Sequence, residues 1–329
     1  MLGDIAYRLW PSNNGEGMIR TATPAVDNRI PAPYGVTRDG QPLSYNRGPS
    51  PDLVSWLGRL SVAKLDLEPD ETLSCGLFAD TAGMRMQLAG DFTIDTPGGP
   101  QHHGRSALFW GPQSRIMPIK VRGTFMSIGI SIRPSACWPL MGPATHKFVD
   151  KVIPTRHYPP EYLLSLFDPD GSAEDWIEAL ENLFRRRILE LNGAEPEPIT
   201  ARFEELAFVD PTITIAQAAR EIGVDRRRLE RLVSRDFGLP PKQVLKRARA
   251  LDMASHLRGV SDEDEAEAMA LRYYDESHLI HEFVELFGMS PRQLITQPHP
   301  LLTMALEARQ ARRLEMLERL QPGARRPWE

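Results

Sequence analysis

The feature that most constrains this chain lies in its last third. Two segments with helical spacing close on the same punctuation, Phe237-Gly238-Leu-Pro-Pro241 and Phe287-Gly288-Met-Ser-Pro291. A glycine just past the last apolar residue supplies the left-handed conformation that ends a helix. A proline beyond it cannot continue that helix. Such an internal echo requires two similar helical units, so this stretch is expected to be all-α.

The first unit is legible residue by residue. Thr214 is a helix N-cap, and Ile215, Ala218, Ala219 and Ile222 form an apolar face. Gly223 ends that helix, and Asp225 caps a second one. In the second helix Leu229, Leu232, Val233 and Phe237 point inward. Arg226, Arg227, Glu230, Arg231 and Ser234 fall on the opposite face, with Arg235 beside them. A short helix, a glycine turn and a second helix with a basic outer face is the recipe of a helix-turn-helix. Arginine suits that face because its planar fork grips guanine edges or phosphates. A linking helix, Pro241 to Leu257, should follow, with Lys242, Lys246, Arg247 and Arg249 on its flanks. The second unit comprises a helix over Glu263 to Leu271, a turn, and a helix over Glu276 to Phe287 with Leu279, Ile280, Phe283 and Phe287 inward.

The N-terminal part is patterned differently. Residues 1–50 are punctuated by Pro31, Pro33, Pro42 and Pro49 and hold no helical or strand period. They are expected to form an extended arm, or else an ordered strap over the next domain. Short β-like runs follow at 60–65, 84–88, 92–94, 106–110, 116–121 and 124–132, separated by turn residues. Runs of this length and spacing suggest a sandwich or barrel. Helical patterning starts after Pro160, with Trp176, Ile177, Leu180, Leu183, Phe184 and Ile188 on one face. The expected organisation is an arm (1–50), a β-rich sensor or dimerisation domain ending in helices (51–191), a linker (192–199), the paired helix-turn-helix units (200–296) and a helical extension (297–329). The fold class is α+β. A barrel-like or sandwich-like N-terminal domain is joined to an all-α C-terminal domain of two helix-turn-helix units and a linking helix. The extension's apolar seam (Leu302, Ala305, Leu306, Leu314, Leu317 and Leu320) reads as a docked helix or a dimer contact.

The residues Ile222-Gly-Val-Asp-Arg-Arg-Arg-Leu-Glu-Arg-Leu232, Phe237-Gly238, Asp275-Glu-Ser-His-Leu-Ile-His-Glu-Phe283 and Phe287-Gly-Met-Ser-Pro-Arg292 resemble the AraC/XylS family of bacterial regulators across both units. The resemblance implies promoter DNA and RNA polymerase as partners and a one-component transcriptional regulator. It also implies that Arg227, Glu230 and Arg231 read DNA from the first unit, and Glu276, Ser277, His278 and His281 from the second. Two positions depart from the family pattern. Arg272-Tyr273 stands where Gly-Phe is usual, and His281 stands where Arg is usual. Trp110-Gly-Pro-Gln113 and Ile130-Ser-Ile-Arg-Pro134 resemble a sensor-like domain often fused to such units, which implies a small-molecule effector and leaves a homodimer open.

Charge distinguishes the two units. Residues 212–259 carry eleven Lys/Arg against five Asp/Glu, a net of +6, whereas 260–296 carry two against nine, a net of −7. Phosphates repel an acidic face. The first unit is therefore expected to carry most DNA contact and the second to serve a protein partner. The alternative is an AraC-like interaction module that binds another regulator instead of DNA. Asp262-Glu-Asp-Glu265 reads as a solvated helix start.

The net charge of −5 over 329 residues leaves DNA binding open, because the distribution of charge decides it. Cys75 and Cys137 are lone thiols that suit a reducing compartment and small core positions. His102-His103 reads as a surface loop rather than a metal site. No cofactor, metal or catalytic residue is expected, since the sequence carries no nucleophile elbow, zinc-protease helix or phosphate-binding loop. With no signal-peptide pattern and no long apolar run, a cytoplasmic protein without membrane contact is expected.

Overall fold

The computed structural model describes residues 23–262 and 276–329. Residues 1–22, the expected helix at 263–271, the Arg272-Tyr273 turn and most of the Asp262–Glu265 run lie outside the described residues. So do the side chains of Glu276, Ser277 and His278.

The chain is α+β. Eight antiparallel strands form one sheet: β1 (Tyr45–Arg47), β2 (Leu57–Leu65), β3 (Thr72–Leu77), β4 (Gly83–Thr96), β5 (Gly99–His103), β6 (Ser106–Trp110), β7 (Met117–Ile132) and β8 (Val152–Pro154). Their order is β1-β2-β7-β4-β6-β8, with β3 also on β7 and β5 also on β4. The runs expected at 84–88 and 92–94 are one long strand, β4, and those at 116–121 and 124–132 are one strand, β7.

Irregularities inside these long strands explain why the sequence breaks them in two. The pairing of β4 with β7 shifts register between Gln87 and Ala89 and again between Ala89 and Asp91. A one-residue shift swaps the face to which every later side chain points. So β7 delivers Ile128, Ile130 and Ile132 to one core and Ile119, Val121 and Phe125 to another. The strand alternates along its whole length, but the alternation changes phase midway.

On the first face, helices α1 (Pro134–Met141), α2 (Pro160–Ser165) and α3 (Ala173–Leu189) cover the sheet. All the residues expected on the inner face of α3 except Ile188 are buried, and Ile188 packs against the same core. The other face receives Leu301 and Met304 from the C-terminal extension. His102 and His103 lie on β5, paired with β4, and not in a loop. The glycines and prolines that suggested a loop sit at the start of a hairpin strand whose pairing partner lies on the other arm.

Residues 23–47 are laid along the molecule as a strap. Asn46 of β1 pairs with Ser61 of β2, Gln41 donates to the carbonyls of Pro24 and Ala25, and the Ala25 amide donates to Ile295. Gln41, Leu43, Ser44 and Asn46 are buried.

The remaining helices are α4 (Pro198–Val209), α5 (Ile215–Ile222), α6 (Arg226–Phe237), α7 (Pro241–Leu257), α8 (Glu276–Phe287), α9 (Pro291–Thr296) and α10 (Pro300–Met316). Helix α7 spans two helical cores. Val244 and Leu245 join α4, α5 and α6, whereas Leu251, Ala254 and Leu257 join α8, α9 and α10. Helix α10 is docked within the chain. Leu302, Leu306 and Leu314 are at most 1% exposed, so the seam that suggested a dimer contact is already covered.

Among the described residues no helix is long and apolar enough to cross a membrane.

Candidate nucleic-acid interface

Helix α5 begins with a capping box. The Gln217 amide donates to Thr214 Oγ1 (3.2 Å), and the Thr214 amide donates to Gln217 Oε1 (3.0 Å). Gly223 ends it at φ 77°, a left-handed conformation that costs a β-carbon-bearing residue on the order of 1 kcal/mol. Asp225 then caps α6 by accepting from the Arg228 amide at 2.9 Å. Leu229, Leu232, Val233 and Phe237 are buried as the spacing predicts, and Phe237 meets Phe203 of α4 edge-on at 5.5 Å.

The buried side fixes which side of α6 is open. Arg227, Arg228 and Arg231 are exposed and make no ion pair among the described residues. Arg226 is exposed and holds Glu230 at 2.7 Å across one turn. Ser234 is half-buried. Arg235 is not with the others. It pairs with Asp236 at 2.6 Å and Glu197 at 3.4 Å, and it lies over the Trp138 ring at 5.4 Å, on the flank that packs against the N-terminal part. Trp138, expected in the β core, is 43% exposed beneath that guanidinium. Gly238 packs closely there too. At φ 79°, a β-carbon on it would lie 2.6 Å from Val149 Cγ2.

The structure redistributes the charges counted along the sequence. Arg247 is 1% exposed and donates to the carbonyls of Gln113 and Asp80, both at 2.7 Å. Arg258 is fully buried and donates to Leu294, Gln297, Ala25 and the Gln41 side chain. Arg249 pairs with Glu282 at 3.0 Å, and Lys246 with Glu285 at 2.6 Å. So two acids of the second unit are neutralised by cations of the linking helix. The cations left open on the first unit are Arg220, Arg227, Arg228, Arg231 and Lys242, all exposed. Of the second unit's expected contacts only the His281 side chain is described, and it is exposed.

Sequence reasoning missed Arg220, Arg228 and Lys242 as exposed partners of Arg227 and Arg231. It also missed a buried charge network around α10. Arg309 bridges Asp80 at 2.8 Å and Asp252 of α7 at 2.6 Å. Arg312 and Arg133 both hold Glu204 of α4, at 2.6 and 2.8 Å. Arg326 holds Glu307 at 2.6 Å. Their counter-ions lie far along the chain, so no local spacing points to them.

Residues 218–297 match a family described as a helix-turn-helix domain. No curated protein matches the chain. Among solved structures the chain is similar to an apo point variant of ToxT from Vibrio cholerae strain SCE256, at 12% identity over 72% of this chain and 96% of that one, with a TM-score of 0.43. A second ToxT structure, from Vibrio cholerae O395 bound to (E)-4-(8-methylnaphthalen-1-yl)but-3-enoic acid, gives 10%, 72%, 98% and 0.44. The AraC-like transcriptional activator CuxR gives 14%, 64%, 86% and 0.29. The matched residues, with a capped helix, a left-handed glycine turn and an open basic helix in their first half, are a helix-turn-helix domain of the AraC type.

Proposed function

We propose that this protein is a sequence-specific DNA-binding transcriptional regulator in which the first helix-turn-helix makes the dominant contact. The observation that carries this reading is the outer face of α6. Arg227, Arg228 and Arg231 stand there without counter-ions among the described residues, on a helix whose opposite side is fixed by a buried core. Such a face enters the major groove with its N-terminal residues toward base edges. Arg226 and Glu230 form a pair that a base edge or phosphate would compete for, and Ser234 sits within the same footprint. In this reading Arg235 positions the unit against the N-terminal part rather than touching DNA. Residues 200–296 are the DNA-binding part, residues 51–191 the sensing part with a small-molecule effector, and RNA polymerase in the cytoplasm is the target of regulation.

The second unit contributes less. A histidine at position 281 offers phosphates less charge at pH 7 than an arginine would, Glu282 and Glu285 are committed to the linking helix, and residues 260–296 are acidic overall. That acidity favours a protein partner for this unit, alongside Ser277 and His278 as secondary DNA contacts.

The test is titration of promoter fragments, including the gene's own upstream region, across a salt series with wild type and Arg227→Ala/Arg231→Ala. Each phosphate interaction that the substitutions remove should reduce the magnitude of the slope of log K against log salt by about 0.9. A specific complex that disappears in the double variant supports the reading. Equal losses on mutating either unit would remove first-unit dominance. No binding at low salt would favour an AraC-like interaction module acting on another regulator.

A further inference from the structure

Between the second face of the sheet and α10 lies a cavity of about 120 Å³. Leu77, Trp110 and Phe125 wall it on the sheet side, and Leu301, Met304 and Ala305 on the helix side. Four guanidinium groups reach it, those of Arg59, Arg85, Arg309 and Arg312. Three of them are balanced: Arg59 by Glu315, Arg309 by Asp80 and Asp252, and Arg312 by Glu204. Arg85 is not balanced. It lies over the Trp110 ring at 5.2 Å and makes no hydrogen bond or ion pair among the described residues. Burial alone, with no opposing charge, lowers its pKa to about 10. Two further groups on the same lining are buried without an acceptor, Trp110 Nε1 and Arg309 Nη2. All three open groups are donors.

A buried cation without a counter-ion is costly, and buried donors are ordinarily satisfied. A cavity whose open groups are all donors, one of them cationic, inside mostly apolar walls is complementary to an anion carried on an apolar body. We propose that this cavity binds a small organic acid, whose carboxylate pairs with Arg85 and accepts from Trp110 Nε1 or Arg309 Nη2. Its compact apolar body lies between Phe125 and Met304. The volume limits that body to about one small ring, since a cavity of roughly 150 Å³ holds benzene.

The C-terminal extension builds half of this site, and Arg309 joins it to Asp252 on the linking helix. A ligand seated there therefore touches both the sheet and the helix that carries the helix-turn-helix units. The inference gives a chemical identity to the effector in the function proposed above. It is measured without DNA, so failure of one does not imply failure of the other.

The experiment is calorimetric titration of the full chain with cyclopentanecarboxylate, its neutral twin cyclopentanecarboxamide, and inorganic phosphate. The expected result is one site for the acid, at least tenfold weaker binding of the amide, and no competition by phosphate. Arg85→Gln should lose at least tenfold in affinity while its ligand-free thermal midpoint stays at or above that of wild type, because a buried cation has been removed. Ala305→Trp fills the cavity, leaves Arg85 in place and should abolish binding. Absence of acid binding, equal affinity for acid and amide, or undiminished binding in Arg85→Gln would each overturn the assignment. Binding of phosphate as tight as the acid would replace the organic ligand with an inorganic anion and overturn the proposed class.

Discussion

Replacing Arg309 with leucine tests whether the C-terminal extension holds the two parts of the molecule together. Arg309 is 9% exposed and spans two carboxylates, Asp80 after β3 and Asp252 on α7, at 2.8 and 2.6 Å. Leucine keeps an apolar stem over Phe208, where the guanidinium now lies at 5.2 Å, but abandons both acids. The Asp252 side chain is 2% exposed and that of Asp80 20%, so neither recovers full hydration. Removing one partner of a buried pair costs about 3–5 kcal/mol, because the remaining charge stays buried. At roughly 2 °C per kcal/mol for a chain this large, the thermal midpoint should fall by about 6–10 °C.

The deficit should also depend on pH in a defined direction. Burial pushes the Asp80 carboxyl up, but Arg309 and Arg247 outweigh it and hold it below its ordinary value. Its contribution to stability is thus present above the unfolded value near 3.8 and is lost as the pH falls through the folded value. Without Arg309 the buried carboxyl is protonated more readily. The gap between variant and wild type should therefore be widest at pH 7 and narrow toward pH 4. Urea unfolding followed by tryptophan fluorescence at pH 7, 5.5 and 4.5 measures it. A loss under about 1 kcal/mol at pH 7, or a gap that widens on acidification, would refute the argument.

Other expectations concern local features. Gly223→Ala should cost about 1 kcal/mol from its left-handed φ, and Thr214→Ala a similar amount from the lost cap, both measurable as shifts in urea midpoint. His299 is buried, neither ring nitrogen has a hydrogen-bond partner, and burial lowers its pKa from 6.5 to about 4. The folded form resists protonation that the unfolded chain accepts. His299 therefore supports stability above pH 6.5 and loses about 3 kcal/mol of it as the pH falls to about 4. His299→Leu should flatten that stretch of the stability–pH curve, and an unchanged curve would count against it. Leu306→Ala, at a 1% exposed position on α10, should cost about 2–5 kcal/mol; a change within 0.5 kcal/mol would mean that the helix is not docked.

Where the controlling physics is local, the sequence was sufficient. Thr214 and Asp225 as caps, Gly223 and Gly238 in left-handed conformations, and the buried sides of α5 and α6 all follow from interactions within four residues. Strands β4 and β7 were visible only as fragments, because register shifts change which face their side chains meet, and a shift is a property of the pair. Strands β1, β3, β5 and β8 left no clear mark in the sequence. They are at most six residues long and are defined by the neighbours they pair with.

The paired helical units, the open basic side of α6 and the α+β class were thus fixed by sequence alone, since caps, turns and periodicity act over a few residues. The fate of each charge was decided only by the tertiary structure. Arg231 and Arg247 are both arginines in the same basic stretch, yet one faces solvent and the other is buried against Gln113 and Asp80. The extension's apolar seam could have met a second chain, but the sheet and α7 cover it. An ion pair or a packed seam depends on which distant segment arrives beside it, and that information lies in the whole fold.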